Sequence, residues 1–537
     1  MSVKRILDWL KQHWKAILMV FVLFLCWSAV HWWVVSYGTQ DVPLTKAYVG
    51  DEQSPLIGAL HMAKEKSPFG LRNNSSVYYG PIFSVVVFPA VVLDYASDVL
   101  AGSVHSASDY QRLFVVNWGS ALFKARWMSV IVGFLGLCGL WLLIRQLAGH
   151  TKRSWLWLGI LVLGTNFYYF LYSGWLRHWV YITAALIFQL YFLTKIKEQG
   201  KTKYWIGMVL ASIFSFGISY ISLLYQAMWL PVLVSWLREK RKADLKQFGW
   251  FVLSLATLVG LVVFWNPSPY IRLWSFMGTE SYGLNTSILP SAWYYLGILL
   301  FNQPFLILAF LVTMFCSLKS KLYKTYWFWS ILAVALVHFL FFSMSPHSEP
   351  RYILPLVVCL LGLTMVAAIK LSQDATYKNY VGLVAVLLVL EVVFQASHDV
   401  KYSQLAASGP EEKQLIAYMR SLPENKTILY EGNRLLGVLQ DKTSFQDYVD
   451  VCLGTVYNLH AYLLGVELPQ NPKPLHLDYL CQDKTTGKLS LEKYDYRFEP
   501  NGYELSSNFF EERIIRLWFA GQERQRYLIL PSGQWIQ

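Results

Sequence analysis

Residues 4–37 read KRILDWLKQHWKAILMVFVLFLCWSAVHWWVVSY, and this stretch decides what kind of protein the chain is. Lys4, Arg5, Lys11 and Lys15 lead into an apolar run from Ala16 to Tyr37. A bilayer's hydrocarbon core is about 30 Å thick and needs roughly 20 apolar residues per helix. The run is therefore long enough to cross, with its basic flank inside, and to act as an uncleaved signal anchor. Similar runs follow at 122–144, 154–173, 176–194, 204–220, 223–237, 248–265, 290–316, 326–345, 352–369 and 379–396. Together they predict about eleven spans and a cytoplasmic N-terminus.

Composition agrees. The 537 residues are 55% hydrophobic and only 15% charged, whereas soluble domains carry about 25% charged residues. Disorder and a soluble globular enzyme are both excluded. The net charge of +13 suggests a nucleic-acid surface until it is divided by region. Residues 1–396 hold 31 basic and 15 acidic residues, against 15 and 18 in residues 397–537. The basic surplus thus sits between apolar runs, as the positive-inside rule requires, and argues for a membrane and against nucleic acid. Arg145, Lys152, Arg153, Lys195, Lys197, Arg238, Lys240, Arg241, Lys319, Lys321 and Lys370 all fall in loops of one parity. After the second span the opposite loops carry only Arg177, Arg272 and Arg351.

Two segments test the count. Val77–Leu100 is apolar but contains Pro81, Pro89, Asp94 and Asp98, and counting it as a span would flip the Arg145–Arg153 loop outward. It reads as an interfacial or re-entrant element. Tyr204–Leu237, as one helix, would be roughly 51 Å long, too long for one crossing, so it is split. The expected architecture is a polytopic all-α membrane domain over 1–396, with a large extracytoplasmic first loop at 38–121. An extracytoplasmic α/β soluble domain follows over 397–537, with a helix at Pro410–Arg420 and strands at Thr427–Tyr430 and Tyr527–Leu530. Cys26, Cys138, Cys316 and Cys359 lie in apolar runs as small buried side chains, whereas Cys452 and Cys481 can pair if their domain faces an oxidising compartment.

With this topology four polar features share the outer face. Asp51-Glu52 is an adjacent carboxylate pair, suited to general-base work in which one is held ionised and oriented while the other takes a structural or ligand-binding role, although a bare dipeptide also fits a solvated loop. Arg177-His178 stands at a span mouth, where an arginine can bind an anion or simply snorkel. His347-Ser-Glu349-Pro-Arg351-Tyr352 precedes the tenth span; Pro350 suits a first helical turn, which places Arg351 where a helix N-terminus already favours an anion. A guanidinium matches a lipid phosphate in shape and charge. Asn266–Leu289, with Tyr270, Arg272, Glu280 and Tyr282, borders a sugar pocket or is an ordinary connector.

These residues carry a resemblance. Tyr48-Val-Gly-Asp-Glu-Gln-Ser-Pro55, Ala59-Leu-His-Met-Ala-Lys64, Val77-Tyr-Tyr-Gly-Pro-Ile-Phe83 and the His-x-Glu-Pro-Arg-Tyr run occur in order over roughly residues 10–396. In this the chain resembles polytopic glycosyltransferases of the GT-C superfamily, in the bacterial branch related to protein O-mannosyltransferases and the lipid A aminoarabinose transferase. The resemblance implies a multi-pass bacterial inner-membrane enzyme that moves a sugar, with inversion, from a polyprenyl-phosphate donor to an acceptor glycolipid, glycan or protein. It implies Asp51 as the base and Arg351, with Arg177, as the cations that neutralise the departing phosphate. Glu52, His178, His347, Glu349, Tyr352 and Tyr79 would orient these groups or line the substrate site. Some members use a divalent metal; no compact carboxylate cluster in this sequence demands one, and no other cofactor is implied. The motif Tyr-Tyr-Gly-Pro departs from the family's Pro-Pro run, and no lysine occupies an obvious phosphate position beyond Lys64, Lys66 and Lys124. The rival readings are a secondary transporter and a lipid-linked polysaccharide polymerase or ligase. Against transport stand spans almost free of charge, Glu391 being the main exception, and no repeat of halves.

Overall fold

The apolar run after Lys15 continues its basic flank into a single helix, α1 (Val3–Ser36). Its Phe21, Leu25 and Trp32 are exposed, the inverse of a soluble helix and the pattern of a lipid-facing one. The computed structural model describes residues 3–36, 52–67, 79–116, 118–148, 153–271, 289–344 and 350–408, with strands at 428–430, 496–501 and 526–531.

After α1 the described residues form three helices before the next long one: α2 (Gln53–Lys64), α3 (Pro81–Leu100) and α4 (Ala107–Val116). The bundle continues with α5 (Gly119–Ala148), α6 (Arg153–Gly164), α7 (Phe167–Gly174), α8 (His178–Gln199) and α9 (Thr202–Ile218). A 3-10 segment (Tyr220–Met228) leads into α10 (Trp229–Arg238), then α11 (Lys242–Trp265), α12 (Leu289–Asn302), α13 (Pro304–Lys319) and α14 (Tyr326–Ser343). A short 3-10 turn (Pro350–Ile353) precedes α15 (Leu354–Leu371), and α16 (Lys378–Ser408) is the last of the described helices. Nearly every residue of α15 is buried, so it is the axis of the bundle, whereas in α11 only Phe251 and Val262 are buried.

By length and composition 9 of the described helices can cross a membrane, or 11 if each bent pair is one span. That tally includes α3 and omits α9, which is 17 residues long. The packing distinguishes the two. At its start α3 meets the last residues of α9: Gly80 N–H donates to the Ile218 carbonyl at 3.0 Å, and Ile82 lies against Gly217. Toward its end Asp94 and Ser97 are bonded to Lys124, in the second turn of α5. The end of α9 and the start of α5 are both remote from the basic loops, yet about 22 Å of helix separates Ile82 from Ser97. A crossing helix of that length would touch opposite ends of the bundle. α3 therefore rests across one end, as an interfacial helix does, and its Leu93 and Leu100 remain exposed. By contrast α9 forms a hairpin with α8 through Gly200, whose φ of +60° is the left-handed C-cap that glycine adopts without strain. The split expected within Tyr204–Leu237 falls at Ser219, which is extended.

Two expected single spans are broken. The 154–173 run bends by 64° between α6 and α7, and the 290–316 run by 100° between α12 and α13. At the first break Asn166 caps α7 by accepting the Tyr169 N–H at 3.2 Å; at the second Pro304 occupies the first helical turn and offers no N–H. The breaks meet. Asn166 Nδ2 donates to Gln303 Oε1 at 2.8 Å, and the Phe167 N–H donates to Gln395 Oε1 at 3.0 Å. Glu391 Oε2 accepts the N–H groups of Phe305 and Leu306, both at 3.0 Å, and Glu391 Oε1 accepts Gln395 Nε2 at 2.6 Å. With no water in a bilayer core, these side chains satisfy the backbone groups the bends release.

Outside the helices, β1 (Ile428–Tyr430) pairs in parallel with β2 (Tyr496–Asn501), which pairs antiparallel with β3 (Arg526–Pro531). β1 and β3 fall on the two stretches expected as strands. The expected helix at Pro410–Arg420, and Cys452 and Cys481, lie outside the described residues.

Candidate functional site

Arg126 enters the structure in α5, two turns past its start, and is fully buried at 0% exposure. A guanidinium there needs a counter-charge, and it has one in Glu52, also at 0%, 74 residues earlier in the chain. Arg126 Nε donates to Glu52 Oε1 at 3.1 Å and NH2 donates to Oε2 at 2.9 Å, the fork geometry that arginine offers carboxylates. Arg126 NH1 also donates to the carbonyls of Val34 and Val35, at 3.4 and 3.2 Å, in the last turn of α1. Glu52 Oε1 in turn accepts the Leu176 N–H at 2.6 Å. One ion pair therefore fastens the end of α1, the start of α2, α5 and the turn that leads into α8.

Leu176 is followed by Arg177, the N-cap position of α8, and by His178, its first residue; both side chains are buried. The His178 ring lies 4.7 Å from Tyr79 and 4.4 Å from Trp179, centroid to centroid. Trp179 is 5.2 Å from Tyr352, and the Arg351 guanidinium stands 5.7 Å over the Tyr352 ring. Arg177 adjoins His178 in the chain, and Arg351 reaches the same ring through Tyr352 and Trp179, so the two arginines, 174 positions apart in sequence, share one locality. Neither His178 ring nitrogen has a hydrogen-bond partner among the described residues.

Three helix starts converge here: α8 at His178, α15 just after Arg351, and α3 just after Tyr79 and Gly80. Each contributes partial positive charge at its N-terminus, and with two guanidinium groups the locality favours an anion. Gly80 permits the approach of α3. A Cβ there would lie 2.3 Å from the Gly217 carbonyl oxygen, so only glycine lets the chain carry Tyr79 against His178.

Among the expected site residues, the structure unites Arg177, His178, Arg351, Tyr352 and Tyr79, with Glu52 bonded one residue away. Asp51, His347 and Glu349 lie outside the described residues, as do Arg272, Glu280 and Tyr282. Tyr270 stacks on Phe216 at 5.2 Å. Lys124 is committed elsewhere: it pairs with Asp94 at 2.5 Å, and Asp94 also accepts the Tyr110 hydroxyl at 2.8 Å. Burial, and then the Asp94 charge, push the Tyr110 phenol above its ordinary range. Among the described residues no group of three or more His, Cys, Asp or Glu is arranged to hold a metal ion, and Glu52 has both oxygens occupied by donors. Arg126 escaped the sequence reading; its signal was an arginine set within an otherwise apolar span.

No protein-family profile and no curated sequence matches the chain. Solved structures do. ArnT from Cupriavidus metallidurans in the apo state superposes with a TM-score of 0.50 at 12% identity, over 85% of this chain and 90% of that one. The same protein bound to undecaprenyl phosphate gives 0.49 at 14% identity, over 84% and 89%. The archaeal oligosaccharyltransferase AglB from Archaeoglobus fulgidus, in complex with an inhibitory peptide and a dolichol-phosphate, gives 0.44 at 10%, over 86% and 69%. At such identities the likeness is one of fold. The helices described above thus share the fold of ArnT.

Proposed function

We propose that the chain is an integral-membrane GT-C glycosyltransferase that moves a sugar from a polyprenyl-phosphate donor to an acceptor hydroxyl on the extracytoplasmic face. The observation that carries this reading is that Arg177 and Arg351 flank one ring stack, His178–Trp179–Tyr352, tied through Leu176 to the carboxylate next to Asp51. As the glycosidic bond breaks, negative charge collects on the lipid phosphate, and cations already in place lower that barrier. Arg351 and Arg177 take this role, and His178 and Tyr79 complete the phosphate cradle. Asp51 takes the acceptor proton, and Glu52 positions it by holding the start of α2. His347, Glu349 and Tyr352 border the donor, and a metal, where one is used, would have to draw its ligands from residues other than Glu52. The acceptor is a hydroxyl of a glycolipid, glycan or protein.

The topology belongs to the same proposal: eleven crossings, the N-terminus cytoplasmic, and residues 397–537 an extracytoplasmic α/β domain. A reporter fused after Gln537 should register outside; a cytoplasmic signal would break the scheme. Two broken helices meeting at a buried carboxylate would suit an ion-coupled transporter. Glu391, however, is surrounded by N–H donors, the reverse of a cation's ligand shell.

The test is transfer of labelled sugar from a polyprenyl-phosphate donor by purified protein. Arg351→Ala should lower kcat/KM about 10²–10³-fold, and Asp51→Asn should abolish transfer while leaving donor binding. Undiminished transfer by folded Asp51→Asn overturns the base assignment. Failure to consume any lipid-linked sugar overturns the enzyme reading.

A further inference from the structure

Beneath the phosphate cradle the 3-10 segment Tyr220–Met228 packs against α14. Side chains three apart in a 3-10 helix eclipse one another, so Ser222 and Tyr225 point the same way. Both are buried, and neither hydroxyl has a hydrogen-bond partner among the described residues. Facing them from α14 is His338, fully buried, whose ring lies 6.3 Å from that of Tyr225. His338 Nε2 is 2.7 Å from the Tyr352 carbonyl oxygen. A carbonyl only accepts, so Nε2 carries the proton, and in the neutral ring Nδ1 is a lone pair. That Nδ1 is also unpartnered among the described residues. A buried donor without an acceptor therefore neighbours a buried acceptor without a donor.

Buried polar groups in native proteins are almost always hydrogen-bonded. One hydroxyl group meets both needs at once, accepting from Tyr225 and donating to His338. The location says whose hydroxyl. The carbonyl that His338 holds belongs to Tyr352, next to Arg351 in the chain. Phe342 stands 4.7 Å from His338 and 4.4 Å from Tyr352, and Trp179 stands 5.2 Å from Tyr352, so an aromatic wall leads from this pair to His178. Apolar walls with a few convergent polar groups are the usual make-up of a small-molecule site.

We infer that Tyr225 and His338 form a sugar-reading subsite: they bracket one hydroxyl of the sugar carried on the donor phosphate, and so contribute to which sugar is accepted. The inference rests on the donor-phosphate reading proposed above, but its test separates the two. The full chain is reconstituted in lipid nanodiscs, and its affinity is measured for undecaprenyl phosphate and for the same lipid carrying a hexose or a pentose. Wild type should bind at least one sugar-bearing lipid more tightly than the bare lipid. Tyr225→Phe, which deletes one oxygen, should bind that sugar-lipid about tenfold more weakly while keeping its affinity for bare undecaprenyl phosphate. His338→Gln should show the same selective loss. Arg351→Ala should weaken both lipids alike.

The inference is overturned if Tyr225→Phe and His338→Gln bind both lipids as wild type does, which would leave only water between them. It is equally overturned if they weaken both lipids to the same extent, or if wild type does not distinguish the lipids at all. Unchanged affinity of Arg351→Ala for both lipids would instead refute the phosphate assignment, whatever the Tyr225 result.

Discussion

Removing Arg126 should destabilise this protein more than any substitution on its lipid-facing surface. Arg126 and Glu52 are both at 0% exposure and hold each other through two hydrogen bonds. Arg126→Met leaves a buried carboxylate that, among the described residues, keeps only the Leu176 N–H, a loss of about 3–5 kcal/mol for a broken buried pair. Glu52→Leu removes the guanidinium's counter-charge at a similar cost, and also orphans the Leu176 N–H, at a further cost of about 1–3 kcal/mol. Independent effects would sum to roughly 7–13 kcal/mol, comparable with the whole stability of a domain. The double variant buries no charge, and replacing a buried pair by apolar side chains is often nearly neutral. It should lose only about 1–3 kcal/mol, the orphaned N–H. The coupling energy is then at least about 4 kcal/mol. Unfolding in mixed micelles, followed through the fluorescence of the 23 tryptophans, gives all corners of the cycle. Additivity to within about 0.5 kcal/mol would refute the pairing. The refolded double variant should still transfer sugar poorly, because the turn before Arg177 has lost its anchor and a displacement of about 1 Å can cost some 10²-fold.

Gly80→Ala places a Cβ 2.3 Å from the Gly217 oxygen, so α3 must shift and take Tyr79 from His178. Donor affinity should fall by more than the melting temperature suggests, measured with undecaprenyl phosphate. Glu391→Leu strands the Phe305 and Leu306 N–H groups inside the bundle and should destabilise by about 2–5 kcal/mol. Glu391→Gln keeps an acceptor for them and should recover most of that in a thermal melt. Glu239, in the basic loop between α10 and α11, accepts from Ser235 and Lys197, and these hold its carboxyl below the ordinary range. A depressed carboxyl stabilises the fold above its unfolded pKa and stops doing so as pH falls through its folded pKa. Melting curves below about pH 4.5 should therefore show wild type and Glu239→Gln converging.

The spans were legible because a bilayer imposes one demand, some 20 apolar residues, that each segment meets from its own composition. The interfacial course of α3 was legible from Pro81, Asp94 and Asp98, since an apolar stretch that carries two acids and a proline pays heavily to cross. The bends were less so. Asn166 and the Gln303-Pro304 pair marked them, but the acceptor that makes the second bend tolerable is Glu391, 85 or more positions away. Arg126 was hidden for the same reason: hydropathy averages it into its span, and only folding brings Glu52 to it. Arg177 and Arg351 could be chosen from sequence as sparse charges on one side, but their meeting at His178 depends on how α8 and α15 pack.

The elbow between α12 and α13 also has a history in the making of the protein. Chains are built and inserted from the N-terminus, and the carboxylate that receives the Phe305 and Leu306 N–H groups belongs to α16, the last long helix among the described residues. Until α16 arrives, the first turn of α13 holds open hydrogen-bonding groups in an apolar surrounding, and so does the Phe167 N–H that Gln395 later takes. The two bends therefore gain these acceptors only once α16 is in place, although Asn166 and Gln303 can already bond to each other. A chain that stops before Glu391 would lack the acceptors for the Phe167, Phe305 and Leu306 N–H groups, so the last long stretch of apolar sequence serves as the latch for two bends made well before it.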